Sequence, residues 1–142
     1  MKALLYPWYE KRLLRQLDFS KTPHHIGIIV DGNRRWAKAN TVETKSGHQA
    51  GADKIVEVLD WCEEAAVKIV TIWLLSTDNF KRSQSELDEL LKIIANVVDQ
   101  LSATNRWNIK VVGATDVLPD WMAERFKSLA HNPNSNMDVN VA

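Results

Sequence analysis

The sequence predicts an α/β fold, a mostly parallel sheet with helices on both faces. Three observations carry that expectation. Short runs rich in Val and Ile alternate with helical periodicities from residue 25 onward. The run at 68–75 is almost continuously apolar, the pattern of a strand buried on both faces of a parallel sheet. The stretches between runs are long enough to cross over as helices, and such crossovers are right-handed.

Taken in order, residues 1–23 read as an amphipathic N-terminal helix and a linker, and residues 24–142 as part of one further domain. Leu4, Leu5, Trp8, Tyr9, Leu13, Leu14 and Leu17 recur at near-helical spacing, with Lys11, Arg12 and Arg15 between them and Pro7 expected near the start. Packing of this helix on the core or on a partner chain is favoured over peripheral membrane contact, because its basic residues are few. The apolar run at 25–30 reads as a strand that breaks at Asp31-Gly32-Asn33-Arg34-Arg35. A short helix continues from Trp36 to Asn40, and residues 41–47 read as a mobile polar loop. His48 is expected to begin the next helix, with Ala52, Ile55, Val56, Leu59 and Cys62 on its apolar side. After the strand at 68–75 comes Ser76-Thr77-Asp78-Asn79-Phe80-Lys81-Arg82. Ser83 and Glu86 then suggest a capping box. The following helix shows one stripe of Leu87, Leu90, Leu91, Ile94, Val97, Val98 and Leu101. A strand at 109–113, a helix from 118 to about 130 and a strand at 137–142 complete the pattern. The sequence stops within that strand, where doubly wound domains more often continue, so the C-terminal part of the fold is expected to be missing.

Composition narrows the function. The formal net charge is zero, which gives no support for a nucleic-acid partner, since those usually leave a basic excess. A small anionic substrate needs only a local cluster of positive charge. Cys62 is the one cysteine, so no intramolecular disulfide forms, and its apolar helical position marks it as a core residue. No apolar run approaches the roughly 18 residues of a membrane span, and no secretory signal opens the chain. A cytoplasmic location is expected.

Ligands of open parallel sheets bind outside the carboxyl ends of the strands. Asp31 ends the first strand and Ser76, Asp78 and Asn79 follow the second, so right-handed connections bring both clusters to one crevice. A strand-end carboxylate suits a hard cation such as Mg²⁺. Arg34 and Arg35 offer forked donors for phosphate oxygens. Gly47 and His48, at the expected start of a helix, could meet the same anion. His24 and His25 lie at the amino end of their strand and read as structural. Phosphatases of the haloacid-dehalogenase type use an Asp-x-Asp pair, and Asn33 in the second place counts against that chemistry. No Walker-type loop is present.

The run from His25 through Asp31-Gly32-Asn33-Arg34-Arg35-Trp36-Ala37 closely resembles the signature of cis-prenyltransferases, the undecaprenyl diphosphate synthase family. Gly47-His48, Ala50-Gly51 and Ser76 through Arg82 match further motifs of that family at compatible spacing, and Val112-Gly113 and Asn140-Val141-Ala142 match weaker ones. The resemblance implies condensation of isopentenyl diphosphate with an allylic diphosphate to form a new cis double bond. It implies Mg²⁺ on Asp31 and an allylic diphosphate held by Gly32, Asn33, Arg34, Arg35 and His48. Asn33 and Ser76 would help place the groups for proton removal, with Asn79 and Arg82 supporting the site. By the same resemblance Trp36, Thr77, Asp78 and Phe80 belong to the substrate site, and the enzyme is a homodimer.

Departures from the pattern shape the expectation further. Thr44 stands where the family usually has a phosphate-binding Arg, with Lys45 as a possible substitute. Asp78 and Phe80 replace the usual Glu and Trp, and Arg34 replaces a frequent Gly. Leu74 and Leu75 stand where long-chain members often have Ala and Phe, on the wall of the tunnel that receives the growing chain. A leucine there removes space, which predicts a short product, of farnesyl length as in some actinobacterial members. Family members run well beyond residue 142, and their later segment supplies arginines and a serine for isopentenyl diphosphate and another acidic metal ligand. This chain by itself is therefore expected to catalyse little. A non-catalytic partner subunit is the alternative, against which the retained Asp31 argues, and a Mg²⁺-dependent phosphatase is a more distant one.

Overall fold

The computed structural model describes residues 2–142, with side chains from Trp8 onward. Five α-helices and four strands alternate: α1 (Lys2–Gln16), β1 (His25–Ile29), α2 (Asn33–Ala39), α3 (Thr44–Glu64), β2 (Ile69–Trp73), α4 (Gln84–Ala103), β3 (Asn108–Val111), α5 (Asp120–Lys127) and β4 (Asp138–Val141). The strands form one sheet in the order β1-β2-β4-β3. Every pairing in it is parallel, as the alternation required.

Register explains where the core sits. Ile26, Val70, Val139 and Ile109 lie side by side across the sheet, and Ile28, Ile72, Val141 and Val111 form the next row. These rows share one cluster with Leu59 of α3, Leu91, Ile94 and Val98 of α4, and Met122 of α5. Each such Leu, Ile or Val contributes roughly 1.5–3 kcal/mol by leaving water, which outweighs the weak helix propensity of the β-branched members of α4. The intervening row carries Gly27, Thr71, Asn140 and Lys110. Thr71 Oγ1 is 2.8 Å from His25 Nε2 and accepts from Asn140 Nδ2 at 3.2 Å. The run at 68–75, expected to be buried on both faces, is thus buried on one: Val70 and Ile72 are sealed, whereas Trp73 is 52% exposed. Apolar composition alone cannot distinguish the two cases.

Three local expectations change. Helix α3 begins at Thr44, so the expected loop at 41–47 shrinks and His48 sits past the helix start. Periodicity missed this turn because it has no apolar residue and is held by packing against α2. The Glu86 N–H does donate to Ser83 Oγ at 3.4 Å, but the Glu86 carboxylate turns to arginines instead of completing the capping box. In α1 the helix starts at Lys2, so Pro7 lies within it and removes one backbone donor. Leu4 and Leu5, assigned to its apolar positions, have side chains outside the described residues. Trp8, Tyr9 and Leu13 are exposed, so the described part of α1 covers none of the core.

Candidate functional site

Asp31 leaves the sheet beside β2: the Val30 N–H donates to the Trp73 carbonyl at 3.3 Å, and the chain then turns. Gly32 makes that turn with φ +92°, a left-handed conformation that any side chain would strain, and caps α2. The Asp31 carboxylate accepts from the Gly32 N–H through Oδ1 at 2.5 Å and from Arg35 Nη2 through Oδ2 at 3.2 Å. Both partners of that ion pair are largely exposed. Such pairs are worth roughly 0–1 kcal/mol, so a stronger ligand can draw either group away.

Two glycines let α2 lie directly on α3. A Cβ on Gly47 would stand 2.2 Å from the Asn33 carbonyl oxygen, and one on Gly51 would stand 2.5 Å from Asn33 Oδ1. Asn33 is thereby held against α3 at both its backbone and its side chain. On the other side of the crevice, Asn79 Oδ1 accepts from the Ser76 N–H at 2.8 Å and from Ser76 Oγ at 3.3 Å. The two side chains fix each other at the carboxyl end of β2.

His48 and Arg82 close the inner wall, with Arg82 Nη1 3.5 Å from His48 Nε2. Burial, and then the positive charge of Arg82, push the His48 imidazole below its ordinary value, while Glu86 opposes them. A neutral imidazole at pH 7 follows. Helix α2 has seven residues and so little dipole to offer. Attraction for an anion rests on the side-chain cations instead.

These groups surround a cleft of about 690 Å³. Its rim carries Asp31, Gly32, Asn33, Arg34, Arg35, His48, Ser76, Asn79 and Arg82, all of them expected site residues. Its floor is apolar: Ala52 and Ile55 of α3, Leu90, Ile93, Ile94 and Val97 of α4, and Leu74. Of the two leucines expected on the tunnel wall, Leu74 lines both this floor and a second, apolar cavity of about 290 Å³, and Leu75 lines the second cavity alone.

Four expected residues are not brought to the cleft. Trp36 is half-exposed on α2. Thr77 and Phe80 line the second cavity, and Asp78 pairs with Lys81 at 2.7 Å on the surface. Conversely, sequence reasoning missed Lys38, which lines the cleft one turn beyond Arg34 and Arg35. Its signal was the i, i+3 and i, i+4 spacing that puts it on their helix face. Thr44 also lines the cleft, whereas Lys45, the suggested substitute cation, does not.

The donor set fits Mg²⁺ in one specific way. No cluster of three or more His, Cys, Asp or Glu occurs among the described residues, so no all-protein cage exists there. Mg²⁺ is commonly held by one or two carboxylates plus substrate phosphate oxygens and waters. The exposed Asp31 carboxylate beside a cationic rim matches that arrangement.

A family model described as putative undecaprenyl diphosphate synthase matches residues 29–142. The chain belongs to this family. Among curated relatives, isoprenyl transferase 1 of Streptomyces avermitilis is 50% identical over an alignment covering 100% of this chain and 56% of that protein. The (2Z,6E)-farnesyl diphosphate synthase of Thermobifida fusca is 46% identical, over 100% of this chain and 57% of its own length. The crystal structure of lavandulyl diphosphate synthase from Lavandula x intermedia, in complex with dimethylallyl diphosphate, superposes with a TM-score of 0.77 at 29% identity. That match covers 85% of this chain and 54% of the lavender one. The chain thus spans a little over half the length of these relatives.

Proposed function

We propose that the protein is a Mg²⁺-dependent cis-prenyltransferase that condenses isopentenyl diphosphate with an allylic diphosphate. The observation that carries this reading is the single cleft whose cationic rim continues into an apolar floor. A diphosphate head and a prenyl tail ask for those two surfaces in that order. The names of the relatives from Streptomyces and Thermobifida and the dimethylallyl diphosphate in the lavender enzyme point the same way.

In this reading Arg34, Arg35, Lys38 and Arg82 bind the allylic diphosphate and stabilise the charge that grows on it as it departs. Asp31 releases Arg35 to the diphosphate and would hold Mg²⁺, which when bound would supply Lewis-acid neutralisation of the leaving group. Asn33, pinned on Gly47 and Gly51, and the Ser76–Asn79 pair orient the reacting groups and the proton to be lost. The apolar floor excludes water from the allylic carbon. Leu74 fills part of that floor, which supports a short product of farnesyl length. A homodimer and a cytoplasmic location complete the proposal; no described helix is long and apolar enough to cross a membrane.

The test is product formation from isopentenyl diphosphate and an allylic diphosphate, with and without Mg²⁺, in the intact enzyme at the full length of its relatives and in its Asp31→Ala variant. Metal-dependent product is expected, with a loss on the order of a hundredfold or more in the variant. An unchanged yield in Asp31→Ala would refute the role given to that carboxylate.

A further inference from the structure

Glu86 does not line the cleft, yet the groups on the inner wall meet at it. Its Oε1 accepts from Arg82 Nη1 at 3.1 Å and lies 3.6 Å from Arg34 Nε, and the same Arg82 nitrogen reaches His48. Arg34 belongs to α2, His48 to α3, and Arg82 to the segment that precedes α4. One carboxylate on the first turn of α4 therefore holds site arginines from two separate elements, and α3 is joined to them through the Arg82–His48 contact. The Glu86 and Arg82 side chains are 24% and 20% exposed, in contrast to the 76% and 82% of Asp31 and Arg35. A partly buried, charge-assisted bond is stronger and less exchangeable than a solvated one. Two guanidiniums share one carboxylate, which leaves net positive charge directed at the cleft.

We propose that Glu86 is a positioning residue that aims Arg82, and secondarily Arg34, at the bound diphosphate. This rests on the cis-prenyltransferase reading above. Without the carboxylate the two guanidiniums repel each other, and each regains side-chain rotamers that must be frozen again on binding. With it, the donors stand in place before the anion arrives, and no reorganisation is required at that moment.

The sign of one measurement separates position from charge. If Glu86 acts only through its negative charge, removing it beside an anion site tightens binding. If it acts by position, removing it weakens binding. Titration of the protein with inorganic pyrophosphate in Mg²⁺ buffer reads this directly. Glu86→Gln is expected to weaken binding about tenfold and Glu86→Asp to recover part of the loss. In an Arg82→Ala background the same Glu86→Gln change is expected to cost at most about twofold, because its main partner is gone. A purely structural role would give the full loss in both backgrounds. Unchanged or tighter binding in Glu86→Gln, or an equal loss in the Arg82→Ala background, overturns the proposal alone. Failure of the unsubstituted protein to bind pyrophosphate overturns the diphosphate reading and this proposal with it.

Discussion

At the rim of the cleft, Asp31 and Arg35 form a solvent-exposed ion pair, and Lys38 and Arg34 stand nearby on the same short helix as Arg35. At its floor, Ala52, Ile55, Leu90, Ile94 and Val97 are members of the one apolar cluster that also holds the sheet. The Asp31–Arg35 pair at the outer rim is weak and replaceable, and the floor is made of the fold itself. An incoming anion can therefore exchange that outer pair at little cost, whereas the shape offered to an apolar tail changes only when the core does. Under the proposed function, binding strength and chain-length selection fall to regions with different mechanical character.

The largest effect is expected where rim and core touch. Gly47→Ala sets a methyl against the Asn33 backbone and must move α2 off α3. We expect about 2 kcal/mol of lost stability, overpacking outweighing the gain in helix propensity, measurable by urea denaturation. Gly51→Ala meets only the Asn33 amide side chain, which can rotate away. It should therefore spare stability while disturbing the site, and equal destabilisation by the two glycine changes would contradict the division.

Next comes Leu74→Ala, which removes volume from the floor. A loss of about 2 kcal/mol is expected for a partly buried leucine, together with longer prenyl products from the active enzyme. Product lengths that stay the same in this variant would remove Leu74 from the chain-length argument.

Smaller is the effect of Lys38→Ala, a purely rim change. Pyrophosphate binding should weaken roughly threefold at low ionic strength, with the difference shrinking as salt rises. Thermal stability should stay put.

The mildest effect concerns pH. The folded state holds His48 below its ordinary value, chiefly by burial, so it binds fewer protons than the unfolded chain as pH drops past about 6.5. Its contribution to stability is present above that point and is lost as pH falls toward the lowered value. The urea midpoint of the unsubstituted protein should decline between pH 7 and 5.5, and the decline should be shallower in His48→Gln.

What the sequence made legible follows the same division. The parallel sheet, α4 and the convergence of Asp31 with Ser76 and Asn79 were readable because hydrophobic periodicity and strand ends report directly on burial and topology. The early start of α3 was not, because Thr44 to Gly47 are helical through contact with α2, and tertiary contact leaves no periodic trace. The role of Glu86 was hidden behind a simpler local reading as a capping residue. Asp78 and Phe80 are adjacent to Ser76 and Asn79 in sequence, but the tight turn sends them to the surface and to the second cavity, a separation that the sequence does not display.

The strand order holds a consequence of another kind. β4 is fourth in sequence but lies inside the sheet, paired with β2 through Asp138 to Val141 and with β3 through the same residues. Until it arrives, β3 has no neighbour and the β1-β2 pair shows an open edge. The step that unites the two halves closes a loop from Ile69 to Asp138, a long-range pairing of the kind that slows folding. β4 is thus the keystone of assembly, and its absence during synthesis leaves an unpaired apolar edge that other chains can join.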